Sequence, residues 1–231
     1  WLTMVGDAFG RPLLDELEAS PDRWNLDSLR VIYSAGVMWS QEVKQGLLAH
    51  LGIETTLIDA LGSSEAPGLG VSVSTRDSSA STAVFTIGEQ AQVITEDDRF
   101  AEPGSGEIGM VAFGGSMPLG YYKDEEKTAS TFRVVGGKRW SIPGDYATVE
   151  LDGKLNLLGR GSVCINTGGE KVFPEEVEEV LKLDPTVRDA VCVGIADKRF
   201  GQRICAVVEA EPGAGVPDLV GEARAGEERD R

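Results

Sequence analysis

Between Gly159 and Glu178 the chain reads Gly-Arg-Gly-Ser-Val-Cys-Ile-Asn-Thr-Gly-Gly-Glu-Lys-Val-Phe-Pro-Glu-Glu-Val-Glu, and residues of these types can hold an anion. Arg160 is a permanent planar cation, and Gly168 and Gly169 let backbone N–H groups come close to a negatively charged ligand. Pro174 suits the first position of a helix, and Glu175 and Glu176 favour the positive end of its dipole. Upstream, Pro143-Gly144-Asp145-Tyr146 presents a carboxylate on a tight turn. Such an acid can accept hydrogen bonds from both hydroxyls of a ribose. Together the two segments read as a hinge that handles a nucleotide.

The elements that must position these groups follow from apolar spacing. Trp1 to Gly6 reads as the middle of a buried strand, and Pro12 opens a short helix with Leu13, Leu14 and Leu17 on one side. Leu29 to Tyr33 is strand-like. Ser40 caps a helix whose Val43, Leu47, Leu48 and Leu51 recur at helical spacing, and Glu54 to Asp59 gives the next strand. This βαβ order implies parallel strands with ligands at their carboxyl ends, where Ser34–Met38 and Asp59–Ala66 fall. Residues 72–81 read as a polar loop.

Short strands are expected at 84–87, 90–94 and 107–113. Gly136-Gly137 and Asp152-Gly153 are two-residue hairpin signals, the second between strands 147–151 and 154–158. After Gly159 come a strand, the Gly168-Gly169 loop, a helix with Val177, Val180 and Leu181 on one stripe, and strands at 190–195 and 204–209. The fold class is α/β: a βαβ unit, a small β-barrel-like region, then a small α+β unit with its boundary near Arg160. Residues 211–231 read as a disordered or aberrant tail.

With 231 residues and 41% hydrophobic content the chain can bury a substantial core. A net charge of −16 argues against a nucleic-acid partner, while a local cluster such as Arg160 and Lys171 can still attract a nucleotide. The three cysteines (Cys164, Cys192 and Cys205) sit in apolar runs without CxxC spacing and read as buried and reduced, which points to the cytoplasm. No apolar run reaches the ~20 residues of a membrane helix. The single histidine, His50, reads as solvated, so histidine-centred catalysis is not expected.

Four segments resemble the adenylate-forming acyl-CoA synthetases, the superfamily of firefly luciferase and the nonribosomal-peptide adenylation domains. Asp59-Ala60-Leu61-Gly62-Ser63-Ser64-Glu65 is similar to its aromatic-Gly-x-Thr-Glu loop, and Pro143-Gly144-Asp145 to its Gly-Asp motif. Gly159–Glu178 is similar to its hinge motif, and Gly120-Tyr121-Tyr122-Lys123 to the segment before the aspartate. Val5–Phe9 and Gly159–Lys171 look most like fatty-acyl and steroid-side-chain CoA ligases.

The resemblance implies an AMP-forming acid–thiol ligase. A carboxylic acid attacks ATP to give an acyl-adenylate, and coenzyme A then displaces AMP. Residues 1–159 would be the C-terminal part of the large AMP-binding domain, and 160–210 part of a small domain that rotates between steps. It further implies nucleotide contacts from Gly36, Val37, Met38, Asp59, Leu61, Gly62, Ser64, Asp145 and Arg160. Glu65 becomes the Mg²⁺ ligand, Ser162 the hinge, and Gly168, Gly169 and Lys171 the coenzyme A contacts.

The chain departs from the pattern at three positions: Leu61 replaces an adenine-stacking aromatic, Ser64 the usual threonine, and Ser162 a charged hinge residue. The family's phosphate loop would precede Trp1, and no lysine follows Lys198 to serve as the catalytic one. The chain alone is therefore expected to be inactive. Competing readings are an adenylation domain that loads a carrier protein and a non-catalytic nucleotide-binding module.

Overall fold

In the computed structural model, residues 1–78 and 81–214 are described. The chain divides between Leu157 and Leu158 into two compact units. The first opens with β1 (Leu2–Met4), α1 (Gly6–Ala19), β2 (Val31–Ala35), α2 (Gln41–His50) and β3 (Thr56–Leu61). β1, β2 and β3 pair in parallel, with Met4 opposite Ser34 and Ser34 opposite Asp59. This is the expected βαβ arrangement. Ser40 caps α2 as its sequence suggests, its Oγ accepting the Val43 N–H at 3.3 Å. Met4, Leu14, Ile32, Trp39, Val43, Leu47, Leu48, Leu51 and Leu57 form the core between these helices and one face of the sheet.

Two expectations fail here. Trp1 is 86% exposed and β1 is an edge strand, with only Met4 of its residues buried. Pro12 does not start α1 but lies inside it. Pro12 removes one helical N–H, and the turn before it is anchored to the rest of the unit. Gly6 donates its N–H to Ser34 Oγ at 2.9 Å, and Gly10 lies so close to α2 that a Cβ there would come within 2.8 Å of Val43 Cγ1.

β4 (Gly70–Ser74) and β5 (Val84–Ile87) continue the sheet antiparallel, followed by β6 (Ala91–Ile94) and β7 (Gly109–Phe113). Next come α3 (Glu125–Thr131), β8 (Phe132–Val135), β9 (Lys138–Ser141), β10 (Asp145–Val149) and β11 (Leu155–Arg160). The strand order is β1-β2-β3-β4-β5-β11-β10-β7-β9-β8, with β6 pairing β7. β4 overturns the polar-loop reading of its stretch. Its serines (Ser72 and Ser74) point inward and its valines (Val71 and Val73) outward, an alternation that composition conceals. Ser79 and Ala80 lie outside the described residues. The Asp152-Gly153 turn is wider than two residues: Glu150 N–H bonds Lys154 O, and Gly153 N–H bonds Glu150 O.

Tyr33, Val71 and Val73 share the sheet face opposite α1 and α2, and all three are exposed. Among the described residues no helix is long and apolar enough to cross a membrane.

The second unit holds β12 (Ile165–Thr167), β13 (Glu170–Val172), α4 (Pro174–Leu181), β14 (Val187–Asp197) and β15 (Gly201–Ala210). Its strands run in the order β13-β12-β15-β14. Gly168-Gly169 turns a hairpin between β12 and β13 instead of leading into the helix, and both glycines have positive φ. Pro174 opens α4 as expected, but Val180 is exposed, so the apolar stripe is narrower than its spacing suggests. Of the cysteines only Cys192 is buried, which pushes its thiol up to about 11, while Cys164 and Cys205 are half-buried. β15 reaches Ala210, beyond the expected strand, and residues 215–231 of the expected tail lie outside the described residues.

Leu47 is buried at the centre of the first core. Leu47→Ala should cost ~2–5 kcal/mol, read as a lower urea midpoint.

Candidate functional site

The parallel register aligns the carboxyl ends of β2 and β3, with Ala35 opposite Ala60. The loops that leave them, Gly36–Met38 and Gly62–Glu65, therefore start side by side. Gly36 has φ +95, Val37 is exposed and Met38 half-buried. Beneath this loop lies Gly6, where a Cβ would come within 2.6 Å of Met38 O.

In the second loop Ser63 closes a turn, its N–H bonded to Ala66 O at 3.1 Å and its Oγ accepting the Ala66 N–H at 3.2 Å. The turn presents Ser64 and Glu65 outward. Leu61 and Glu65 are half-buried, and Gly62 and Ser64 are exposed.

Glu65 is held from across the unit. Tyr121 donates its hydroxyl hydrogen to Glu65 Oε1. That bond keeps the carboxyl below the ordinary value of 4.5, with smaller help from Ser63 and Lys127. Lys127 Nζ lies 4.3 Å from the centre of the Tyr121 ring, which in turn sits 5.9 Å from the Phe132 ring.

Phe132 begins β8, at the far end of the strand order from β3. A flat sheet would separate β3 from β8, seven steps along the order, by roughly 34 Å at ~4.8 Å per strand. The Tyr121–Glu65 bond therefore requires the sheet to curl back on itself, consistent with the barrel-like region expected from the sequence. Arg139 steadies the loop before Tyr121, its guanidinium donating to Pro118 O at 3.1 Å and Leu119 O at 2.7 Å.

Sequence reasoning assigned no role to Tyr121 or Lys127, and missed α3 altogether. The signal for α3 was present in Asp124, which accepts the Lys127 N–H at 2.9 Å as an N-cap.

Asp59 belongs elsewhere. It is 4% exposed and shares the helix-covered sheet face with Leu57, so its side chain is not an open contact. Burial pushes its carboxyl up to about 6, with Lys44 opposing the shift and Asp7 adding to it.

Asp145 opens β10 after Gly144, whose φ of +100 makes the sharp turn, and is half-buried. Arg160, Ser162, Gly168, Gly169 and Lys171 all belong to the second unit and are exposed. Arg160 starts a turn closed by Val163 N–H to Arg160 O at 3.0 Å, and Gly168 N–H bonds Phe200 O at 2.9 Å.

No group of three or more His, Cys, Asp or Glu among the described residues could hold a metal ion. A lone ionised carboxylate with one oxygen already bonded to Tyr121 fits Mg²⁺ only if phosphate oxygens complete the coordination, which is the common pattern for that ion. The loops offer backbone groups, hydroxyls and one acid, a set suited to binding and orienting rather than to proton transfer.

No family model matches the chain. It is 46% identical over 213 residues to the medium/long-chain-fatty-acid–CoA/3-oxocholest-4-en-26-oate–CoA ligase of Mycobacterium tuberculosis, covering 92% of this chain and 38% of that protein. It is likewise 46% identical to the 3-oxocholest-4-en-26-oate–CoA ligase of Rhodococcus rhodochrous, with 91% and 39% covered. ATP-bound MatB from Rhodopseudomonas palustris shares the fold, with a TM-score of 0.76 at 23% identity over 97% of this chain and 44% of that structure. The chain belongs to the adenylate-forming ligase superfamily. It spans well under half the length of the curated relatives it matches.

Tyr121→Phe tests the brace on Glu65. Because that carboxyl is lowered in the folded protein, its contribution to stability is full above 4.5 and is lost as pH falls through the folded value. The variant should lose about 1 kcal/mol at pH 7, a charged hydrogen bond discounted for exposure. The gap to the parent should close toward acid, as read from urea unfolding across pH.

Proposed function

We propose that this chain is part of an ATP-dependent acyl-CoA ligase. Its substrate class is a fatty acid or a steroid side-chain acid, the acids named in the relatives at 46% identity. What carries the reading is the adjacency of the Gly36–Met38 and Gly62–Glu65 loops at the carboxyl ends of parallel strands, the usual ligand position in such sheets.

In this reading Gly36, Val37, Met38 and Leu61 line the adenine, and Gly62 and Ser64 approach the α-phosphate. Asp145 accepts from the ribose hydroxyls. Glu65 offers one oxygen to Mg²⁺, which when bound would offset charge on the phosphates. In the second unit Arg160 meets the ribose or phosphate edge and Ser162 serves as the hinge. Gly168, Gly169 and Lys171 meet coenzyme A. The ligase works in the cytoplasm.

The relatives are more than twice as long as this 231-residue chain. Incubated with ATP, Mg²⁺, coenzyme A and a fatty acid, it should form no thioester above background. It should still bind AMP saturably in equilibrium dialysis. Asp145→Asn should weaken that binding about tenfold, because a carboxylate holding two hydroxyls is replaced by a neutral amide. AMP binding that ignores the Asp145 substitution would refute the assignment.

A further inference from the structure

Directly behind the two loops lies a charged cluster that the nucleotide reading does not use. Lys44, on α2, is 1% exposed, and Asp59, on β3, is 4% exposed; each influences the other electrostatically. Asp7, in the first turn of α1, is the third charge, close enough to oppose ionisation of Asp59. A lysine is almost never so deeply buried unless it is paired.

What ties the cluster to the loops is hydrogen bonding around Ser40 and Ser34. Asp7 Oδ1 accepts the Ser40 N–H at 2.9 Å, and Ser40, two residues after Met38, is the cap of α2. Ser40 O accepts the main-chain Lys44 N–H at 3.1 Å as the first bond of α2, so a pull on Ser40 passes directly into the helix that carries the buried Lys44 side chain. Gly6, next to Asp7, bonds Ser34 Oγ at the other stem of the loop. Asp59 is two residues before Leu61, where β3 gives way to the second loop. By register it lies between Ser34 and Ser72, both buried.

We propose that Lys44, Asp59 and Asp7 are positioning residues that fix the stems of both ligand-facing loops from the helix-covered side of the sheet. They touch no ligand, and act by holding Ser40 and β3 at one separation. The functional meaning rests on the nucleotide reading of those loops; the mechanical claim does not. Such preorganisation lets a site meet its ligand without first ordering the loops.

Peptide-resolved amide hydrogen exchange on the full chain tests the mechanical claim. In Lys44→Met and in Asp59→Asn, exchange in segments 36–40 and 62–66 should rise about tenfold through local opening, with β5 to β10 unchanged. Either single change strands buried charge and can unfold the chain, so Lys44→Met/Asp59→Leu is made as well. It replaces the pair with apolar groups, a change that buried pairs tolerate. In that double variant circular dichroism should stay native while both loops still exchange faster.

Loops that exchange at parental rates in the folded double variant would overturn the proposal. So would a rise spread evenly over α1 and α2, the pattern expected of Leu47→Ala. The measurement needs no nucleotide. Asp145→Asn, which should weaken AMP binding and leave loop exchange untouched, separates failure of this claim from failure of the functional reading.

Discussion

The hydrogen bond between Tyr121 and Glu65 joins residues that sequence and strand order both place far apart. The β3 loop leaves the third strand of the first unit's sheet and the α3–β8 segment adjoins the last, seven steps along the order, and only a strongly curled sheet lets them touch. Once they touch, the acid in the loop is fixed in direction and in charge, since the phenol favours its ionised form. Lys127 over the Tyr121 ring and Phe132 beside it hold the donor in place. The chemistry available to the loop thus depends on the closure of the sheet as much as on its own residues.

How much of this could be read beforehand depends on whether a feature is local. Ser40, with apolar residues at helical spacing after it, specified α2 and its cap because both are short-range. The βαβ order and the paired loops followed from it, and so did Pro174 at the start of α4. Other features were decided by tertiary structure. Pro12 looks like a helix start until the glycine contacts of α1 are known. The serines of β4 look like a loop until their alternation with exposed valines is seen against the sheet. Lys44 and Asp59 are surface residues by type, but their spacing places them inside: Lys44 stands three, four and seven residues before Leu47, Leu48 and Leu51, and Asp59 two after Leu57, so residue type masked a pattern that was present.

The two units differ in what they contribute. The first has a substantial apolar core and carries the loops, Glu65 and Asp145. The second supplies a hairpin with two left-handed glycines, an exposed arginine and an exposed lysine on short strands.

The uncovered sheet face of the first unit governs how the chain behaves in solution. Tyr33, Val71 and Val73 offer a greasy surface on a sheet whose first strand, β1, pairs only with β2 among the described residues, and two such surfaces attract each other when molecules collide. Long-range repulsion from a net charge of −16 opposes that approach in dilute buffer. Screening shortens that repulsion to about 10 Å at 0.1 M salt, so the balance between dispersed molecules and clumps is set by ionic strength as well as by temperature.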